Sequence, residues 1–134
     1  MTATDKSNEA LKIAKLNTHN EINFYCGDWF DAVPDEKFDL IVSNPPYIDD
    51  HDPHLDNLKY EPLEALISGS NGLDDIRIII NESPKYLKEG GYLLLEHGFN
   101  QQKEIIGLLK ESFFNINTYK DLNNIDRAVL AQYK

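Results

Sequence analysis

Short apolar runs alternate with stretches of helical spacing along this chain, and that alternation predicts an α/β domain with a mainly parallel sheet. MTAT (1–4) reads as the tail of a strand. Ser7 is a candidate N-cap, Glu9 suits the first turn of a helix, and Ala10, Leu11, Ala14 and Leu16 recur near helical spacing; together they predict a helix over about 7–19. INFYC (22–26) and FDLIV (38–42) follow as strands. LDDIRIII, after Gly72, is a helix with one strongly apolar side. Ser83-Pro84 predicts an N-cap and a first helical proline, opening a second short helix that runs to Lys88 and stops at Gly90-Gly91. YLLLEH (92–97) alternates little, as a buried strand does. QQKEIIGLLKESF is an amphipathic helix, and NINTYK and RAVLAQY read as two closing strands of a hairpin.

Composition narrows what such a domain could do. The 134 residues suffice for one domain with a single core. The net charge is −10, from 23 acidic and 13 basic side chains, and the lysines are scattered. That balance disfavours a nucleic acid as the main partner, because phosphate binding draws on clustered Lys and Arg. No apolar run approaches the roughly 18 residues a membrane span needs, so no membrane partner is expected. The N-terminus lacks the basic and apolar regions of a signal peptide. The one cysteine, Cys26, has no partner for an internal disulfide, which fits a reducing cytoplasm; it reads as a small buried residue.

In an α/β sheet, ligands bind outside the carboxyl ends of the strands. Three strand ends therefore matter. Asp5 ends the first strand, where a carboxylate can accept both hydroxyls of a ribose; it can equally serve as a helix-entry carboxylate beside Ser7. Gly27-Asp28-Trp29 ends the second. Asp28 can accept from an exocyclic amine, and the Trp29 indole can either stack on an adenine or fill core. The third end is SNPPY (43–47), directly after FDLIV.

Proline has no N–H, fixes its own φ and pushes the preceding residue towards extended geometry. Asn-Pro-Pro is thus a stiff segment whose carbonyls must find other partners. The Asn44 side-chain oxygen and the Pro45 carbonyl can each accept one hydrogen of a substrate –NH2 group, while Tyr47 packs against its flat face. An amide held this way directs its lone pair outward, and the acceptors stabilise the positive charge that grows as it attacks. Positioning then carries much of the rate, and no Ser, Cys or His nucleophile is required.

SNPPY after a FDLIV strand resembles the motif of Rossmann-like, class I S-adenosylmethionine-dependent N-methyltransferases that act on adenine or glutamine. ATDKSNEALKIAKLN, GDWF, SNPPYIDDHDPHL, YEPLEALISGSNGLDDIRIII, GGYLLLEHGFNQ and DRAVLAQY together resemble the release factor glutamine N5-methyltransferases (HemK-type) across nearly the whole chain. The resemblance implies transfer of a methyl group from S-adenosylmethionine to the glutamine amide in the Gly-Gly-Gln loop of class 1 peptide release factors. It implies Asp5 at the cofactor ribose, with Asp28 and Trp29 on the adenine side. Asn44 and Pro45 would hold the amide, Asn44 would also lie beside the cofactor, and Pro46 and Tyr47 would complete the substrate cradle. No metal is implied.

The family also carries an N-terminal helical domain and a first strand followed by a glycine-rich cofactor loop. The seven glycines here form no G-x-G pattern and all follow Asp5. Residues 1–134 therefore read as a partial catalytic domain that starts near the second strand, with the Asp5 and Phe24 strands cut off from the Phe38 strand. Either the chain is a fragment of a longer gene product, or a further chain is the partner that supplies the missing strand. The rival readings are an adenine-N6 nucleic-acid methyltransferase, which the acidic charge disfavours, and a non-catalytic remnant. DDHDPH (49–54) tempts as a metal site but lacks further ligands fixed by spacing, and Glu96-His97 could be an acid–base pair that this chemistry does not need. The purified chain by itself is expected to show weak or no methyl transfer to a release factor; turnover matching that of full-length relatives would contradict this.

Overall fold

The computed structural model describes residues 1–58, 60–69 and 72–134. They divide into two compact units, 1–36 and 37–134.

The first unit is a strand–helix–strand element. β1 (Thr2–Asp5) and β2 (Asn23–Cys26) pair in parallel, Thr2 with Asn23 through Asp5 with Cys26. A parallel pair needs a crossover, and α1 (Asn8–Asn17) supplies it. The helix starts where Ser7 Oγ accepts from Ala10 N at 3.2 Å, the expected N-cap. It is shorter than the sequence pattern suggests. Thr18 turns extended and its hydroxyl accepts from Asn20 N at 3.2 Å, so a local side-chain bond competes with the next helical turn. Leu11 and Phe30 are the buried apolar side chains of this unit, while Leu16 is exposed.

The second unit holds a four-stranded sheet in the order β3–β4–β6–β5. β3 (Phe38–Ser43) runs parallel to β4 (Leu87–Glu96), and α2 (Asp74–Glu82) lies between them in the chain. After β4 come α3 (Gln102–Leu109) and the hairpin of β5 (Phe113–Lys120) and β6 (Asp126–Tyr133). β6 inserts between β4 and β5 and is antiparallel to both, so the sheet is mixed rather than mainly parallel. A tight turn sets the antiparallel β5–β6 pairing. Asp121 Oδ1 accepts from Asn123 N at 2.8 Å and Ile125 N at 3.1 Å, and Asn124 takes a left-handed φ of 63°. The Ile125 amide, aided by Asn123 and Arg127, holds the Asp121 carboxyl below its usual range. The core joins Ile76, Ile79 and Ile80 of α2, Leu93 and Leu95 of β4, Ile105 and Leu109 of α3, and Phe113, Val129 and Ala131 of the hairpin.

The expected helix after Ser83 is a single 3-10 turn, Ser83–Lys85, continuous with α2. The Ser83 hydroxyl donates to Ile80 O at 3.3 Å instead of capping. β4 then begins earlier than expected and carries Gly90-Gly91 inside it. Phe38 pairs with Leu87 but Leu40 with Tyr92, so β4 bulges around the glycines, with Gly90 at φ +77°. A Cβ on Gly91 would lie 2.9 Å from Lys88 O. Among the described strands β3 pairs with β4 alone. Its Leu40 and Val42 are 51% and 65% exposed.

Leu93→Ala should lower unfolding free energy by about 2–5 kcal/mol, because the side chain is enclosed at the sheet–helix contact. Leu122→Ala, on the solvent side of the hairpin turn, should change it by less than about 0.5 kcal/mol. Urea denaturation of both variants checks the pair.

Candidate functional site

Each expected residue sits at a strand's carboxyl end. In the first unit Asp5 closes β1, exposed, and its Oδ1 accepts from Ser7 N at 2.7 Å. The helix-entry reading is therefore real, and it occupies one of the two carboxylate oxygens. Asp28 is exposed in the turn after β2, where its carbonyl accepts from Asp31 N at 2.9 Å. Trp29 is half-buried at φ 44°, a left-handed conformation that costs a residue with a Cβ about 1–2 kcal/mol. Its carbonyl accepts from Thr4 Oγ1 at 3.3 Å. The enclosed aromatic of this turn is Phe30, so the core role that the sequence left open to Trp29 belongs to its neighbour. Two exposed carboxylates beside a partly open indole suit a nucleoside's hydroxyls, amine and ring face. Cys26 is exposed, not buried, with Sγ 3.5 Å from Lys6 O; β2 is too short of covering side chains to enclose it.

In the second unit the chain leaves β3 at Ser43 and enters Asn44-Pro45-Pro46-Tyr47. Asn44 is exposed, Pro45 is enclosed, and Pro46 and Tyr47 are half-buried. Among the described residues no hydrogen bond reaches the Asn44 carboxamide or the Pro45 carbonyl, so both remain available to an amide. Tyr47 is held at both ends. Its phenol donates to Glu96 Oε1 at 3.0 Å, and its carbonyl accepts from Gln101 Nε2 at 2.8 Å. Ile48 N donates to Leu66 O at 2.9 Å and anchors the next residue.

Glu96 and His97 do not form an acid–base pair. Successive strand residues point to opposite faces. Glu96 meets Tyr47, whereas His97 is enclosed and its Nδ1 donates to Gly98 O at 2.8 Å. The histidines of 49–54 also serve local turns. Asp49 accepts from His51 N at 2.8 Å, and Asp52 accepts from both His54 N and His54 Nδ1 at 2.8 and 2.9 Å. Among the described residues no three His, Cys, Asp or Glu side chains gather as a metal ion needs, and no helix is long and apolar enough to cross a membrane.

Glu96 and Gln101 contact the motif; the sequence offered Glu96 only as an acid–base partner of His97 and did not single out Gln101. They lie in EHGFNQ, 49 and 54 positions from Tyr47, and no spacing rule links residues so far apart.

Burial, then the hydrogen bond to Glu96 and that carboxylate's charge, push the Tyr47 phenol above its ordinary pKa of 10.0. The protonated phenol is thus the form the fold favours, and its contribution is complete below pH 10 and lost as pH rises through the raised value. Tyr47→Phe should be less stable than the parent by about 1 kcal/mol at pH 8. The gap should close above pH 10, as followed by urea midpoints across that range.

Residues 1–59 match the family model "Methyltransferase small domain". Among curated relatives, the chain is 47% identical to a release factor glutamine methyltransferase of Coxiella burnetii, over 97% of this chain and 49% of that protein. It is 42% identical to that of Vibrio cholerae, over 100% of this chain and 50% of the relative. The chain thus spans about half the length of the curated relatives it matches. In structure it is similar to a ribosomal protein L11 methylase of Lactobacillus delbrueckii, with a TM-score of 0.67 at 21% identity over 99% of this chain and 57% of that one. It is also similar to the N-methyltransferase NodS of Bradyrhizobium japonicum in complex with S-adenosylhomocysteine, with a TM-score of 0.57 at 18% identity over 98% of this chain and 64% of that one. The chain has the class I methyltransferase fold, and in sequence it is a homologue of the release factor glutamine methyltransferases, matching about half their length.

Proposed function

We propose that this chain is the cofactor-holding and catalytic segment of an S-adenosylmethionine-dependent methyltransferase that modifies the side-chain amide of the glutamine in the Gly-Gly-Gln loop of class 1 peptide release factors. Identity of 47% to such an enzyme along 97% of the chain carries this reading. The open acceptors of Asn44 and Pro45 at the end of β3 support it chemically.

When bound, S-adenosylmethionine supplies an electrophilic methyl group. Asp5 would hold its ribose with the carboxylate oxygen that Ser7 leaves open, Asp28 would accept from the adenine amine, and Trp29 would cover the ring. The Asn44 oxygen and the Pro45 carbonyl would take the two hydrogens of the glutamine –NH2, leaving its lone pair free to attack and stabilising the charge that builds on nitrogen. Pro46 and Tyr47 would flank the flat amide. With φ fixed at two successive residues, these acceptors need little reorganisation as the reaction proceeds. Residues 1–134 would form part of a longer catalytic domain, with a segment or chain outside them completing the sheet beside β3. The acidic charge fits a protein substrate in the cytoplasm better than a nucleic acid.

Calorimetric titration with S-adenosylhomocysteine tests the cofactor half. Asp5→Ala and Trp29→Ala should each weaken binding by about tenfold, as loss of a hydrogen bond to a charged group or of a stacking face does. Asn44→Ala, in a protein of the relatives' full length, should slow methylation of a release factor by roughly a hundredfold or more. Variants that bind and transfer like the parent would overturn the assignment.

A further inference from the structure

The Asn44–Tyr47 segment can aim an amide only if something aims the segment. Two prolines make it stiff, so fixing its far end directs its near end. Tyr47 is that far end, and its carbonyl is gripped by a side chain 54 positions away. Gln101 is only 6% exposed, and every polar atom of its carboxamide is engaged. Oε1 accepts from Gly98 N at 2.9 Å, while Nε2 donates to Tyr47 O at 2.8 Å and to Gly72 O at 3.2 Å. One partner is a donor and two are acceptors, so a flipped carboxamide would set like against like.

The surroundings are built to this shape. Gly72 sits at φ +70°, and a Cβ there would lie 2.2 Å from Tyr47 O and 2.7 Å from Gln101 Nε2. Glycine is the residue that lets three backbones converge at this point. Gly98 is steadied from its other side, because its carbonyl accepts from His97 Nδ1 at 2.8 Å and from Gln101 N at 3.1 Å. Gln101 therefore ties the loop after β3, the entry to α2 and the turn between β4 and α3 through one planar group.

We propose that Gln101 is a positioning residue for methyl transfer: its carboxamide locks the Tyr47 carbonyl and thereby sets the direction of the Asn44 and Pro45 acceptors. This rests on the reading of those acceptors as the amide's holders. Gln101 acts through the Tyr47 carbonyl, and a displacement of the acceptors by about 1 Å would be felt as roughly a hundredfold in rate.

Two variants of similar length test it. Gln101→Glu keeps the acceptor for Gly98 N and removes both donors; Gln101→Met removes all three bonds. The first readout is amide hydrogen exchange of the 134-residue chain by NMR, with Ile48 N–H as reporter and the β5–β6 amides as control. Both variants should exchange Ile48 at least tenfold faster with the hairpin unchanged. Parent-like exchange at Ile48 in Gln101→Glu would overturn the lock, and loss of hairpin protection in both variants would make Gln101 a fold support and overturn the positioning role. The second readout is kinetics in a full-length protein that transfers methyl groups. Gln101→Glu should lower kcat by ten- to a hundredfold while KM for S-adenosylmethionine stays within twofold; an unchanged kcat, or equal changes in both constants, would overturn the role in catalysis. A parent protein that binds S-adenosylhomocysteine but methylates no release factor would refute the proposed substrate, while the exchange result would still decide the lock.

Discussion

Two prolines in succession have no amide hydrogen to give a neighbouring strand, and at residues 45 and 46 this ends β3. The consequences spread outward from that point. The chain must leave the sheet at its carboxyl edge, its acceptors must look elsewhere, and the residue beyond the prolines must be tied down by other parts of the fold. Glu96 takes the phenol of Tyr47, Gln101 takes its carbonyl, and Leu66 takes the amide of Ile48. A stiff segment is useful only when both its stiffness and its anchor exist. The prolines provide the first locally, and the β4–α3 turn provides the second from half a chain away.

The first unit follows a similar logic with fewer contacts. Its short parallel pair and one helix enclose little apolar surface, so its strand ends are open. Openness leaves Asp5, Asp28 and Trp29 reachable, and it also leaves Cys26 at the surface. The left-handed Trp29 is the local sign of constraint: a bulky residue keeps an unfavourable φ where the turn demands it. In the second unit a shared core of α2, α3 and the central strands provides the rigidity that a positioned loop needs.

Much of this was legible before the structure. The order of strands and helices followed from apolar spacing, and Ser7 acted as the cap its position suggested. The errors have physical causes. Ser83-Pro84 carries a helix-start signal, yet α2 was already helical there and the serine bonded backward to Ile80. Gly90-Gly91 signals a stop, but β4 accommodates both glycines as a bulge against β3. The antiparallel insertion of β6 was also hidden, since strand order depends on which edges meet, and no local pattern records it.

The sequence by itself determined where strands end and what chemistry stands at those ends, because proline geometry, side-chain polarity and capping act over a few residues. It also carried the kinship to the release factor enzymes, legible in stretches spread along the chain. Only the tertiary structure decided that Glu96 meets Tyr47 rather than pairing with His97, that Phe30 rather than Trp29 is the enclosed aromatic, and that Gln101 closes on both Tyr47 and Gly72. The contacts of Glu96 and Gln101 join residues 29 to 54 positions apart, which meet only when sheet and helices pack.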